Sequence, residues 1–275
     1  MARPRTGSVL GALYWIVVIG GGGLALVFLV GPVAIALLMS FTDGQTLQFP
    51  PEGLSLRWYE ALFDPAVSGP LHTAAFNSLK IAAAAVFGAL LFAVPAAVGI
   101  VRVRNRRTAS LFEPLLIAPL ILPSLVYGLA ALVAANLIGL SPSFILVVIG
   151  HVIVFGPLMY RATNAIASQL DPSLEEASSL SGATWARTFR KVTLPLLLPG
   201  ILAGVFLVFM QSLDNVSVTL FLADPSTSIL PLRMFAMLQE WLDVRVAAIS
   251  GVLIGVTLLA LILGRRVGGL FRLAR

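Results

Sequence analysis

The sequence has no cysteine, which excludes disulfides, thiolate metal sites and cysteine nucleophiles. Histidine occurs only as His72 and His151, too few for a multi-histidine metal centre, and no metal site is expected. Charge is also scarce. Charged residues make up 11% of the 275, against about 25% in a soluble globular chain. So few charges cannot cover a water-facing surface, so the solvent for most of this chain is lipid. Lysine is nearly missing. Lys80 and Lys191 follow Leu79 and Arg190, so neither completes the Gly-Lys-Ser/Thr of a phosphate-binding loop. Any energy taken from ATP must therefore enter through another polypeptide. Serine is common, but no Gly-x-Ser-x-Gly elbow and no nucleophile–base pair stand out, which argues against an intramembrane enzyme.

What is present is apolar: 59% of residues are hydrophobic. A membrane helix needs about 20 mostly apolar residues. Six stretches qualify, at about 9–39, 77–101, 114–137, 144–160, 196–220 and 246–263. The third is the least regular, because Pro114, Pro119 and Pro123 interrupt it. Such breaks are tolerated where neighbouring helices or a wet cavity satisfy the freed carbonyls. The first resembles a secretory signal in its Arg3 and Arg5, but its apolar run far exceeds the ~7–15 residues of a signal core, so it is read as a retained span. Gly20–Gly23 within it suit close approach of another helix.

Six spans place every one of the 18 basic residues on one side except Arg57, Lys80, Arg233 and Arg245. By the positive-inside rule that side, with both termini, is cytoplasmic. The net charge of +6 thus reports topology and needs no nucleic-acid partner. Between the first two spans, 56–63 carries Trp58 and Tyr59 among apolar residues at helical spacing, which predicts a short interfacial helix.

The loop at 171–195 is the most informative. Asp171 can cap a helix opening with Pro172, and Ser173 with Glu176 fits the capping-box pattern. Gly182 suits a left-handed helix terminus. A second short helix is expected to follow, with Trp185, Phe189 and Val192 on one face, before Pro195 opens the fifth span. Glu175 and Glu176 could simply complement a helix dipole. That does not explain the small surface of Ala177, Ser178, Ser179 and Gly182, which lets another protein approach closely beside acidic charge partners.

These residues resemble the signature of the permeases of binding-protein-dependent ABC importers. That signature is Glu-Ala-Ala, a Gly after three residues, and after nine more a β-branched residue, one further residue and Leu-Pro. Here it reads Glu176-Ala177-Ser178, Gly182, Val192 and Leu194-Pro195, with Ser178 the one departure. Asn77-Ser78-Leu79, Gly150-His151, Pro199-Gly200 and Gln211-Ser212-Leu213-Asp214-Asn215 are similar to the spermidine/putrescine-type branch, which also holds iron(III), thiamine and aminophosphonate importers. The resemblance implies an all-α polytopic type I permease bundle of about six transmembrane helices, one domain over 1–275, in the bacterial inner membrane. It implies that 171–195 is a cytoplasmic coupling loop whose Glu175, Glu176, Ala177, Ser178, Gly182 and Ala183 meet an ATPase dimer. ATP and Mg would sit on that ATPase, with no cofactor on this chain. A second homologous permease and an extracytoplasmic solute-binding protein complete the expected assembly, and a polyamine or related small amine is the expected cargo.

Asp214 and Asn215 fall in the fifth predicted span. A mid-membrane Asp costs about 3 kcal/mol, against about 4–7 kcal/mol gained from the apolar residues of 196–216, so the span inserts and Asp214 requires an explanation. It is either a group on the transport path suited to an amine or the partner of Lys80. Gln211, His151 and Tyr160 are further path candidates, each also readable as an interhelical hydrogen-bonding residue. An ion-coupled secondary transporter is the alternative. It would usually need more ionisable groups in the spans and no signature loop.

Overall fold

The computed structural model describes residues 9–103, 105–241 and 243–273, and the named elements there are all helical. In chain order they are α1 (Val9–Met39), α2 (Arg57–Phe63), α3 (Pro65–Arg102), α4 (Arg106–Ile117) and a 3₁₀ turn (Ala118–Leu120). Then come α5 (Ser124–Leu137), α6 (Phe144–Ala167), α7 (Ser173–Leu180), α8 (Trp185–Thr188) and a π turn (Phe189–Thr193). The series ends with α9 (Leu194–Leu213), α10 (Ser217–Leu222), α11 (Leu230–Trp241) and α12 (Arg245–Leu273).

Among the described residues four helical stretches are long and apolar enough to cross a membrane: Leu13–Met39, Pro65–Arg102, Phe144–Ala167 and Trp185–Leu213. The irregular third span of the sequence is a bent pair, Arg107–Leu120 and Ser124–Leu137, turned by 100° at the break before Pro123. Proline removes a backbone donor and disfavours helix in the residue before it, so the chain breaks there. The sixth expected span falls in α12, where Arg245–Leu259 is a shorter apolar stretch among the described residues. The second span begins at Pro65 rather than near 77. The fifth stops at Leu213 rather than near 220.

The chain divides into two compact units: one drawn from residues up to Gly69 and from Met237–Arg266, the other from Pro70–Ala236 and the chain after Arg266. In the first, α1 leaves apolar side chains such as Leu24, Phe28 and Leu29 exposed. A Cβ on any of Gly20–Gly23 would meet nothing within 4 Å, so the close helix approach expected there is not made among the described residues. The expected helix at 56–63 forms as α2. Trp58 Nε1 donates to the Gly44 carbonyl (3.1 Å) and the Tyr59 hydroxyl to Ser40 Oγ (2.7 Å). Arg3, Arg5, Arg104 and Arg275, which contribute to the charge asymmetry, lie outside the described residues.

The second unit is organised on the seam between α6 and α9. A Cβ on Gly200 would lie 2.7 Å from the Ala162 carbonyl oxygen, and one on Gly204 would lie 2.8 Å from Met159 Cα. The two backbones meet at distances that exclude any side chain, the small-residue device of helix packing in lipid. Around the seam Val147, Val154, Met159, Leu197 and Val208 are buried.

Gly204→Leu is expected to overpack this seam at a cost of about 1–3 kcal/mol. Thermal unfolding in detergent should show a clear drop in apparent Tm, while Gly99→Ala, whose Cβ would meet nothing within 4 Å, should not lower it.

Candidate functional site

The loop between α6 and α9 folds as a capped two-helix element. Asp171 Oδ1 accepts from Ser173 N (2.9 Å) and so caps α7. That backbone bond, with a side-chain bond from Ser173, holds the Asp171 carboxyl below the usual carboxylate range. Pro172 stands one position before the helix, and the capping box expected from Ser173 and Glu176 does not form, because Ser173 is already inside the helix. Gly182 follows α7 at φ +79°, a conformation that glycine adopts without steric cost. Ser178 Oγ and Thr188 Oγ1 share a hydrogen bond of 2.8 Å that ties α7 to α8. Trp185 and Phe189 stack, their ring centroids 5.6 Å apart.

The helix then runs into α9 without a loop. Pro195 has no N–H to give to the carbonyl one turn back, and its ring would crowd that carbonyl. The π turn just before it widens the coil, with Leu194 N donating to Phe189 O across five residues.

The acidic pair divides. Glu176 is exposed. Glu175 faces the bundle, where Thr193 Oγ1 donates to its Oε1 (2.5 Å) and the Arg102 guanidinium pairs with the same oxygen. Burial opposes ionisation of Glu175, but the bonds from Thr193 and Arg102 and the Arg102 charge outweigh it and hold its carboxyl below the ordinary range. This clamp joins the end of α3, the first turn of α7 and the π turn that leads into α9. A cavity of about 490 Å³ lies beside it, lined by Val98, Leu170, Glu176, Val192 and Leu197 among others. On the outer surface of the element, Ala177 and Gly182 are exposed beside Glu176. Ala183 is half-buried, and Ser178 is engaged by Thr188. Two apolar side chains also stand out here: Leu180 is 89% exposed and Trp185 71%.

The polar residues of the spans lie in different places. His151 is fully buried, sharing hydrogen bonds with Ser212 Oγ (2.7 Å) through Nδ1 and with Thr219 Oγ1 (3.0 Å) through Nε2. Asp214 is not inside a helix: it is the C-cap residue of α9 and is exposed, as is Gln211. Asn215 Oδ1 accepts from Val218 N (2.8 Å) at the start of α10, so it holds the break open. Among the described residues Asp214 makes no ion pair, and Lys80 lies over the Phe76 ring, 4.5 Å from its centroid, so of the two readings of Asp214 the Lys80 pair is absent. Asn77 Nδ2 donates to the Ser226 and Ser228 carbonyls, which gives it a loop-holding role. Tyr160 is buried on α6. Residues 81–270 match the family model described as Binding-protein-dependent transport system inner membrane component.

The chain belongs to that family. It is a permease, and membership disfavours the ion-coupled secondary transporter. This permease is 29% identical over 239 residues to the putrescine transport system permease protein PotI of Escherichia coli K12, covering 84% of this chain and 83% of that one. It is also 29% identical to the spermidine/putrescine transport system permease protein PotC of Haemophilus influenzae, covering 85% and 89%. To the molybdenum transport system permease protein ModB of Mycobacterium bovis it is 32% identical, over 70% of this chain and 77% of that one. Among solved structures, a bacterial ABC transporter involved in import of the acidic polysaccharide alginate superposes with TM-score 0.64 at 16% identity, covering 95% of this chain and 98% of that chain. The alginate transporter in complex with its alginate pentasaccharide-bound periplasmic protein gives 0.62 at 16%, covering 93% and 90%. At such identity these two speak for the fold.

The sequence points to Glu175 and Glu176 alike and not to the partners of Glu175: Arg102 counts there only toward the charge asymmetry. Because the folded pKa of Glu175 is depressed, its contribution to stability is complete above the unfolded-state value of about 4.3 and fades as pH falls through the lower folded value. In detergent melts, Glu175→Gln should lower Tm near neutral pH, and the gap to wild type should close in that acid window.

Proposed function

We propose that this permease is one half of the membrane bundle of an ATP-driven importer in the bacterial inner membrane, with both termini cytoplasmic, and that its cargo is a small aliphatic amine such as putrescine or spermidine. Similarity to PotI and PotC over more than four fifths of both chains carries the cargo reading. Asp214, an exposed carboxylate at the broken end of α9, suits an ammonium group, and Gln211 and Asn215 stand beside it. A second, homologous permease faces this one, and an extracytoplasmic binding protein delivers the amine. An ATPase dimer binds the ATP and Mg, and this chain binds no cofactor.

The mechanism follows from the coupling element. Glu176, Ala177, Gly182 and Ala183 meet the ATPase, and Leu180 and Trp185 enter its groove, where burying a Leu gains about 1.5–3 kcal/mol. Glu175 and Ser178 act from behind, fastening the element to the bundle. When the ATPases close on ATP, the element moves as a lever. The Arg102–Glu175–Thr193 clamp and the unbroken passage into α9 carry that movement into α3 and α9. The bundle then rocks between inward- and outward-facing states, a rigid-body switch between packed arrangements.

Two measurements test this. Purification from native membranes is expected to bring down an ATPase and a second permease with wild type. Gly182→Asp, which places a charged side chain at a left-handed position on the docking surface, should lose the ATPase. Recovery of the chain alone from wild-type membranes counts against the assembly. Labelled putrescine uptake should be competed by spermidine and weakened by Asp214→Ala. Competition by molybdate instead would turn the cargo toward the oxyanion of the ModB relative, whose identity is the higher over its shorter match.

A further inference from the structure

Two halves of a broken helix meet at one imidazole. α9 stops at Leu213 and α10 begins at Ser217. His151 on α6 is fully buried and bonds on both sides of the break, with Ser212 Oγ (2.7 Å) through Nδ1 and with Thr219 Oγ1 (3.0 Å) through Nε2. Both hydroxyl residues are buried as well, Ser212 at 2% exposed and Thr219 at 0%. Thr219 Oγ1 in turn donates to the Asn215 carbonyl (3.2 Å).

The protons of this run follow from its partners. A hydroxyl has one proton to give, and Thr219 gives it to a carbonyl, which can only accept. His151 Nε2 therefore donates to Thr219 Oγ1, and a neutral ring leaves Nδ1 to accept from Ser212. A charged ring would be buried without a carboxylate, and among the described residues His151 makes no ion pair. The bonds thus run in one direction, from Ser212 through His151 and Thr219 to the Asn215 carbonyl, and close a ring around Leu213 and Asp214.

α10 is also seated closely. A Cβ on Gly150 would lie 2.7 Å from Leu222 Cδ1, and one on Gly128 of α5 would lie 3.0 Å from the Ser217 carbonyl oxygen. Ser143 N donates to the Leu222 carbonyl (2.9 Å) at the far end of α10. Asp214 stands exposed between the two tied segments, its N–H on the Met210 carbonyl (3.2 Å). Interrupted helices are where transporters place cargo sites, and a site works when the residues behind it hold it still.

We propose that His151 is a positioning residue for cargo: with its proton on Nε2 it ties the end of α9 to α10 and so fixes where the Asp214 carboxylate meets an ammonium group. This role rests on the reading of Asp214 as an amine-binding carboxylate. Burial alone accounts for a ring set edge-on against Phe155, with centroids 5.3 Å apart. It does not account for two directed bonds that span the break.

The chain has no cysteine, so Asp214→Cys places its one thiol at the break. In native membranes that position is read with 2-aminoethyl methanethiosulfonate, a thiol reagent carrying an ammonium group, and mass spectrometry of the peptide gives the rate. His151→Phe keeps a ring against Phe155 and removes both bonds. It should change the rate about fivefold or more, the scale of one lost hydrogen bond, while His151→Gln, with one donor and one acceptor, should stay within about twofold of the parent. In uptake assays His151→Phe should cut putrescine uptake per assembled subunit about fivefold. Added to Asp214→Ala it should remove little more, because residues that act through one another are not additive. His151→Gln should restore most of the uptake. Equal reagent rates in the parent and His151→Phe overturn the role. So does a full further loss in the double variant, and so does a His151→Phe chain that is less abundant but transports normally per subunit, the mark of a packing residue. If His151→Phe does not assemble, Thr219→Val, of the same shape without the hydroxyl, replaces it in both assays. Uptake unchanged by Asp214→Ala alone would sink the amine reading of Asp214, and the reagent rates would still decide whether His151 sets the break.

Discussion

The contact on which the second unit depends is the near-touching of two backbones where α9 passes α6 at Gly200 and Gly204. Lipid tails are as apolar as leucine, so burial alone does not hold two helices together in a membrane. Shape and polar pairing must do it. Glycine lets the helices meet backbone to backbone, and one end of the same seam brings His151 against Ser212. At its other end the seam fixes the course of the helix that leads from α7 and α8 into α9.

Polar groups fall into two kinds. Some are satisfied within the chain and serve architecture. His151 is bonded at both nitrogens, Asn77 holds two carbonyls, and Glu175 is clamped by Arg102 and Thr193. Others have an open valence: exposed Asp214 at the end of α9 and exposed Glu176 on α7. An importer subunit needs both kinds, because cargo and partners can only engage what the fold has left unsatisfied.

The sequence makes the helical class, the approximate spans and the two-helix loop at 171–195 legible, because each depends on local signals: apolar runs, proline and glycine punctuation, and the spacing of the Glu176–Pro195 signature. What it hides depends on side-chain direction across distant segments. Glu175 and Glu176 are neighbours with identical chemistry, and only the fold shows that one turns inward to residues 73 positions earlier and 18 later. Asp214 reads as mid-span because the hydropathy of 196–220 is continuous, yet the helix stops at Leu213 where Asp214 and Asn215 can serve as caps.

The π turn at Phe189–Thr193 has a geometric consequence. An α-helix advances about 100° per residue, and a π turn holds one residue more than an α turn over the same rise. The segment therefore sets the angular phase between everything before it and everything after it. With this count, Thr193 points at Glu175 while Leu197 and Ile201 point into the core. Were the same five residues of 189–193 to relax to ordinary α-helix, the two halves would rotate against each other by about 100°. The local backbone would be better off and the alignment lost. Five residues thus act as an angular gauge whose winding matters more than the identity of most of its side chains.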